Sequence, residues 1–213
     1  MDLLRVYLST GRFHAAVLAS LRSPKWCHYI SSHFSKHRNR CTTFPIGAYT
    51  GSSTSIVVLL DLLPRKDLAL HPDYLQKYYE NTWMDEQRAN IEELPQARPY
   101  RSPSLFVRSA FSPTAVLVTI DCGQGGDGAL EEIVSGRLAT VAKEVLRIWL
   151  DCCADSTTEM DDTERDFLLK RDQLVRSKSI EVDLTASLPR MFDPDVSSRV
   201  ISEIRKAFGV QEP

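Results

Sequence analysis

The stretch SPSLFVRSAFSPTAVLVTIDCG, residues 102–123, constrains the possible fold more than any other part of this sequence. Two of its runs, residues 105–111 and 115–121, are rich in β-branched and aromatic residues, and a Ser-Pro pair separates them. Runs of this kind that are broken by a turn predict an antiparallel β-hairpin.

Polar side chains interrupt this otherwise apolar hairpin. Successive residues of a strand point to opposite faces, so the pattern predicts Arg108 on the face of Phe106 and Ser109 on the face of Phe111. Two interpretations are open. The hairpin is either a half-exposed edge of a sheet or the floor of a pocket, in which Arg108 binds an acidic group and Phe111 gives shape.

The other segments predict a mixed α/β domain around this hairpin. The apolar run 56–63, IVVLLDLL, predicts a central strand covered on both faces, in which Asp61 must be paired or lie at the strand's end. Helical periodicity or capping signals predict helices over 72–83, 84–94, 129–152 and 163–177, and another one after Asp193. Residues 179–192 predict a short strand or an irregular segment, where Asp183 lies between apolar residues. An acid at such a place is more often a surface group.

Composition excludes several classes of protein. The 213 residues fit one domain, or one domain with a tail. Lys and Arg number 26 against 28 Asp and Glu, which argues against a chain that binds nucleic acid as a whole. No apolar run reaches the length of a membrane span. An odd number of cysteines, five, without a CxxC spacing favours a reducing compartment.

The first 43 residues differ from the rest, with seven Lys or Arg against a single acid. An acid-poor, Arg- and Ser-containing start with a weak helical pattern over residues 3–21 is typical of an organelle transit segment, and equally of a basic surface helix followed by a disordered arm. We therefore divide the chain into a divergent front, residues 1–50, and a domain, residues 51–213. Cysteines and histidines at 27, 28, 33, 37 and 41 match no usual zinc spacing, so no metal site is predicted.

Several segments resemble one family over residues 53–210. They are LDLLPRKDLALHPDYLQKYY, SPSLFVRSAFSPTA, VAKEVLRIWL, KSIEVDL, PRMF and VSSRVISEIRKAFGV. They look like red chlorophyll catabolite reductase, a plant plastid enzyme that is related to the ferredoxin-dependent bilin reductases. The resemblance implies an α/β/α sandwich with a mainly antiparallel sheet flanked by helices on both faces, and a homodimer.

The resemblance also implies a chemistry. A family member has no bound cofactor of its own and receives electrons from reduced ferredoxin in the plastid stroma. It reduces one methine double bond of red chlorophyll catabolite, an open-chain tetrapyrrole of chlorophyll breakdown, to the primary fluorescent catabolite. The family pattern makes Asp183 the proton donor. It also makes Phe111 a substrate-binding residue that shapes the pocket and helps to decide which face of the substrate is protonated. The hairpin argument adds Arg108 and Ser109 as substrate-binding residues.

The front of the chain departs from the family pattern. The family has further strands before the IVVLLDL segment and a second functional glutamate in a VELIQ-like segment, where this chain has Gly47. We therefore expect a domain without its N-terminal strands and with one of two proton-handling carboxylates. Two alternatives to an active reductase follow: a non-catalytic relative that binds a tetrapyrrole or a partner protein, and an aberrant product that folds poorly.

Overall fold

One antiparallel sheet is the centre of the fold. The computed structural model describes residues 2–8, 15–23, 26–34, 44–52, 54–124, 126–154, 160–185, 188–189 and 193–210. In these residues, seven strands form a sheet in the order β1-β2-β3-β4-β5-β7-β6, and every neighbouring pair is antiparallel. The strands are β1 (Asp2–Leu8), β2 (Ala15–Ser23), β3 (Trp26–Phe34), β4 (Phe44–Ser52), β5 (Ser55–Leu60), β6 (Ala97–Pro99) and β7 (Val116–Asp121).

Helices flank this sheet and make the fold an α/β/α sandwich. They are α1 (Pro72–Leu75), α2 (Met84–Glu92), α3 (Leu105–Ala110), α4 (Asp127–Ile133), α5 (Ala139–Trp149), α6 (Asp162–Ser179) and α7 (Pro194–Phe208). Four π-helical segments prolong α1, α4, α5 and α6, and they are Gln76–Glu80, Val134–Leu138, Leu150–Ala154 and Ile180–Leu184. Helix α2 packs on β6, β7 and α5, whereas α7 contacts β1 and β2 at the other end of the sheet.

The first four strands correct the expectation for the front of the chain. The N-terminal strands that we expected to be missing are present. The helix predicted from the pattern over residues 3–21 is wrong, because β1 and β2 lie there. The boundary drawn at residue 50 falls inside β4, which pairs with β5. Pairing with a neighbouring strand depends on distant residues, so it overrides a weak local helical pattern that a glycine interrupts.

The core lies on one face of β5 and β7. Their inward side chains are buried, whereas the alternate residues of both strands are half-buried or exposed. The buried set is Ile56, Val58, Leu60, Val116, Val118 and Ile120. The tyrosines of α1 and its π-helical extension pack on this face together with Trp149 of α5. The prediction of a central strand is confirmed, but β5 is fully buried on one face, not on two.

Local capping signals place several helix ends correctly. Pro72 occupies the first turn of α1. Asp193 caps α7, because its carboxylate accepts a hydrogen bond from the Val196 N–H at 3.0 Å. Gly209 ends this helix with φ of 65°, a left-handed conformation that glycine adopts without strain. These ends were predicted because caps depend on residues within one turn.

The hairpin prediction is half wrong. Residues 116–121 form β7, but its partners are β5 and β6, and residues 105–110 form α3 instead of a strand. The Ser104 hydroxyl accepts a hydrogen bond from the Val107 N–H at 3.3 Å and caps this helix. That serine was a local signal for a helix, and the apolar composition of the run concealed it. The segment 180–184, predicted as strand or irregular, is π-helical.

Candidate functional site

A cavity of about 360 Å³ lies where β5 ends and β7 begins, at the β6 edge of the sheet. Leu59 and Leu117 contribute the sheet's wall, on the face opposite the core. The other sides come from α2, the segment after β6, α3 and the turn after α3. Their lining residues are Arg88, Glu92, Pro99, Tyr100, Arg101, Ser102, Arg108, Phe111, Ser112, Pro113 and Ala115.

Two of the predicted site residues line this cavity. Arg108 lies on α3 and Phe111 lies at its C-terminal cap, where the backbone is extended with φ of −76° and ψ of 151°. The helix brings them together, because residues three apart share a helix face, whereas in a strand they would point to opposite faces. Ser109 is exposed, and its hydroxyl donates to the Phe106 carbonyl at 2.8 Å. It is not among the lining residues.

Asp183 lies in the π-helical segment that follows α6. The neighbouring Ile180 and Leu184 are buried. The side chain of Asp183 lies outside the described part of the structure. Its role as proton donor stays a prediction.

Gly47 lies beside the cavity wall. In the strand register, Gly47 pairs with Leu59, and Leu59 pairs with Leu117. Directly opposed residues of antiparallel strands share a face of the sheet, so Gly47 is on the face that carries both leucines of the cavity. The position that the family resemblance assigns to a second acid is therefore next to the cavity.

Positive charge dominates the cavity. Of its arginines, only Arg108 was predicted from the sequence. Arg88 is paired with Asp85 at 2.8 Å and with Glu92, and Glu92 also lines the cavity. In the described part of the chain, the exposed guanidinium groups of Arg101 and Arg108 have no hydrogen-bond or ion-pair partner. Two such groups at one cavity are suited to bind carboxylates.

Asp61 lies behind the cavity and is fully buried, directly after β5. Its carboxylate accepts a hydrogen bond from the Ser112 N–H at 2.8 Å and another from the Ser112 hydroxyl at 2.5 Å. Burial raises the pKa of Asp61 to about 6, and the two bonds from Ser112 lower it by less than burial raises it. The structure therefore confirms that this acid is both paired and at the end of a strand.

The raised pKa of Asp61 makes stability depend on pH. A carboxyl group that binds its proton more tightly in the folded state stabilises the fold fully below pH 4, and this contribution is lost as the pH rises through about 6. The free energy of unfolding of Asp61→Asn, minus that of wild type, should therefore rise by about 2 kcal/mol between pH 4 and pH 7. Urea unfolding at several pH values measures it. The exposed Asp166→Asn should track wild type, and a constant difference for Asp61→Asn would contradict the prediction.

The fold resembles that of a protein whose structure is known in complex with biliverdin. The crystal structure of phytochromobilin synthase from tomato, in complex with biliverdin, superimposes with a TM-score of 0.72. At 16% identity the superposition covers 96% of this chain and 73% of the tomato chain. The chain thus has the fold of the tomato protein.

The sequence gives the family. A family model for red chlorophyll catabolite reductase matches residues 36–206, so this chain belongs to the red chlorophyll catabolite reductase family. It is 73% identical over 162 residues to "Red chlorophyll catabolite reductase 1, chloroplastic" of Oryza sativa subsp. japonica and to "Red chlorophyll catabolite reductase" of Hordeum vulgare. The identity is 46% over 182 residues to "Red chlorophyll catabolite reductase, chloroplastic" of Arabidopsis thaliana.

These matches cover most of this chain but not all of the relatives. The matched part is 76% of this chain for the rice and barley proteins and 84% for the Arabidopsis protein. It is 49% of the rice protein, 79% of the barley protein and 56% of the Arabidopsis protein, so the chain spans about half the length of two of the three relatives.

The described residues contain no helix that is both long and apolar enough to span a membrane. They also contain no cluster of three or more His, Cys, Asp or Glu side chains placed to hold a metal ion. The cysteines and histidines of residues 27–41 fall outside the side chains that the structure describes.

Proposed function

We propose that this chain is a plastid reductase that converts red chlorophyll catabolite to the primary fluorescent catabolite, with reduced ferredoxin as the electron donor. The observation that carries the proposal is the 73% identity, over 162 residues, to two proteins named red chlorophyll catabolite reductase. The presence of a cavity lined by Arg108 and Phe111 supports it. The homodimer that the resemblance implies belongs to the same proposal.

The reaction sets the tasks of the protein. Reduction of one methine double bond adds two electrons and two protons to the tetrapyrrole. In the proposal the electrons come singly from ferredoxin, and the protein binds no flavin, haem or metal. The chain has to orient the substrate, exclude water and hold a proton donor close to the reduced carbon.

Several side chains that line the cavity are suited to orient the tetrapyrrole. In the proposal, Arg101 and Arg108 bind carboxylate groups of the tetrapyrrole, because both guanidinium groups lack partners among the described residues. The ring of Phe111 and the side chains of Leu59 and Leu117 pack against the apolar faces of the pyrrole rings. Asp183, assigned by the resemblance, delivers one of the two protons.

A second candidate function is a relative that binds a tetrapyrrole without turning it over. Gly47 favours this alternative, since it stands on the cavity side of the sheet where the family resemblance expects a glutamate. A glycine has no group that can hold or deliver a proton. An oxygen-free assay with reduced ferredoxin and red chlorophyll catabolite separates the two functions. A blue-fluorescing product supports the reductase, and binding without product supports the alternative.

Absorbance of the purified protein tests the proposal that it has no prosthetic group. Stoichiometric flavin or haem absorbance, or bound metal by elemental analysis, would contradict that part of the proposal. Light scattering coupled to gel filtration measures the proposed homodimer directly.

Restoring the acid should raise the activity. Gly47→Glu places a carboxyl group beside Leu59 at the cavity wall, and a positioned proton donor contributes about 10²-fold or more to a rate. We expect turnover to rise by this order in the oxygen-free assay. Gly47→Gln is the matched control, because it adds a side chain of similar size that cannot ionise, and it should give no increase. Equal rates for both variants would show that a carboxyl group at this position is not used.

A further inference from the structure

The bonds between Asp61 and Ser112 join two distant parts of the chain at the cavity. The carboxylate of Asp61 accepts hydrogen bonds from two groups of Ser112, its N–H at 2.8 Å and its hydroxyl at 2.5 Å. The Ser112 hydroxyl oxygen also lies 3.0 Å from the Thr114 hydroxyl and accepts from the Thr114 N–H at 3.2 Å. We call these four contacts the Asp61 clamp.

The clamp fixes the residue that shapes the cavity. The Ser112 N–H belongs to the peptide group that joins Phe111 to Ser112, so the carboxylate of Asp61 sets the plane of that peptide. Phe111 itself is half-buried and lines the cavity, and Ser112 lines it as well. On the other side, Pro113 restricts the backbone by its ring. The backbone at Phe111 is therefore anchored by an acid that does not line the cavity.

We propose that Asp61 is a positioning residue, which acts through Ser112 to hold Phe111 and so selects the face of the bound tetrapyrrole that receives the proton. The inference rests on the proposed function and deepens it.

Stability alone does not account for a carboxyl group at this place. Burying a carboxylate is costly, and an apolar side chain of similar size would often give an equal or more stable fold. A carboxylate offers two oxygens, and here each oxygen accepts from a different group of the same residue. This arrangement fixes the orientation of Ser112, because rotating the residue would break both charge-assisted hydrogen bonds.

A backbone hydrogen bond from the neighbouring Leu62 also reaches the Asp61 carboxylate, so Ser112 is its described partner from a distant part of the chain. Tyr79, from the π-helical extension of α1, lies near enough to influence Asp61, but its hydroxyl donates to the Leu62 carbonyl at 2.6 Å. Burial raises the pKa of Tyr79, so its hydroxyl remains a neutral donor. The carboxylate therefore acts on the cavity wall through Ser112.

The experiment compares three substitutions in the full chain: Asp61→Asn, Ser112→Ala and Phe111→Val. The first readout is the ratio of the two product epimers by chiral chromatography, together with kcat and KM. The ratio should fall by about tenfold or more in Asp61→Asn and in Ser112→Ala, because each loses a hydrogen bond to a charged group, which is worth about that factor. In Phe111→Val it should fall because the ring itself is removed. The double variant Asp61→Asn/Ser112→Ala should lose no more than the larger single loss, since both changes break the same clamp.

The second readout does not need turnover. Biliverdin, an achiral open-chain tetrapyrrole, gains circular dichroism when a protein holds it in one helical sense. We expect a signal with wild type and a weaker or inverted signal with all three variants. Asp166→Asn and Ser135→Ala are matched controls on exposed helix positions and should keep the wild-type signal and epimer ratio.

The outcomes decide between the inference and the function beneath it. Wild-type protein without turnover, but with a biliverdin signal that the clamp variants lose, contradicts the proposed function and supports the clamp. The inference is overturned if Ser112→Ala keeps both the epimer ratio and the circular dichroism signal of wild type. This test holds even if Asp61→Asn fails to fold. A Phe111→Val variant that keeps the wild-type ratio, or wild-type protein with neither turnover nor signal, overturns it too.

Discussion

Asp183→Asn should lower turnover by about 10²- to 10⁴-fold and leave tetrapyrrole binding nearly unchanged, which is the range that a positioned acid contributes to a rate. The amide has the size of the carboxyl group and most of its hydrogen bonding, but it cannot deliver a proton. Gly47 stands where the family resemblance expects the second acid, so that acid is not there to replace Asp183.

Rate and binding have to be measured side by side for this prediction. The oxygen-free ferredoxin assay gives the rate, and absorbance titration with the tetrapyrrole gives the affinity. Glu181→Gln is the matched control, since Glu181 is exposed in the same π-helical segment and pairs with Lys178. Substantial, equal turnover in wild type and Asp183→Asn would show that the proton comes from another group.

Asp172→Ala should lower the free energy of unfolding by about 3–5 kcal/mol, the cost of breaking a buried ion pair from one side. Asp172 on α6 pairs with the buried Arg65 at 2.8 Å, and its second oxygen contacts Arg171 at 3.1 Å. Arg171 also donates to the Pro64 carbonyl. Burial lowers the pKa of Arg171 and the charge of Asp172 opposes this shift, so the carboxylate favours the charged guanidinium.

This ionic cluster ties α6 to the segment that follows β5. Alanine at position 172 removes the carboxylate that both arginines contact and leaves their charges in a buried place. Urea unfolding measures the loss. Glu203→Ala is the control, because its pair with Lys206 is exposed and should be worth less than about 1 kcal/mol. A loss for Asp172→Ala as small as that of the control would contradict the prediction.

The sequence by itself determined the family and three helix ends, and it drew attention to two residues that line the cavity. Helix ends at Pro72, Asp193 and Gly209 were predictable, because capping depends on residues within one turn. Arg108 and Phe111 were recognised from their chemistry within an apolar run and from the family resemblance. Both residues line the cavity although the predicted hairpin was wrong, since the helix brings them to one side, and their role in substrate binding stays a prediction.

The tertiary structure alone decided which segments pair and which charges are buried together. Strand pairing and burial depend on residues far apart in the chain, which no local pattern records. The sheet therefore includes β1 to β4, where the sequence predicted a helix and missing strands. Likewise, Asp61 was recognised as an acid in need of a partner, but Ser112 is 51 residues away, and only the fold brings its N–H and hydroxyl to that carboxylate.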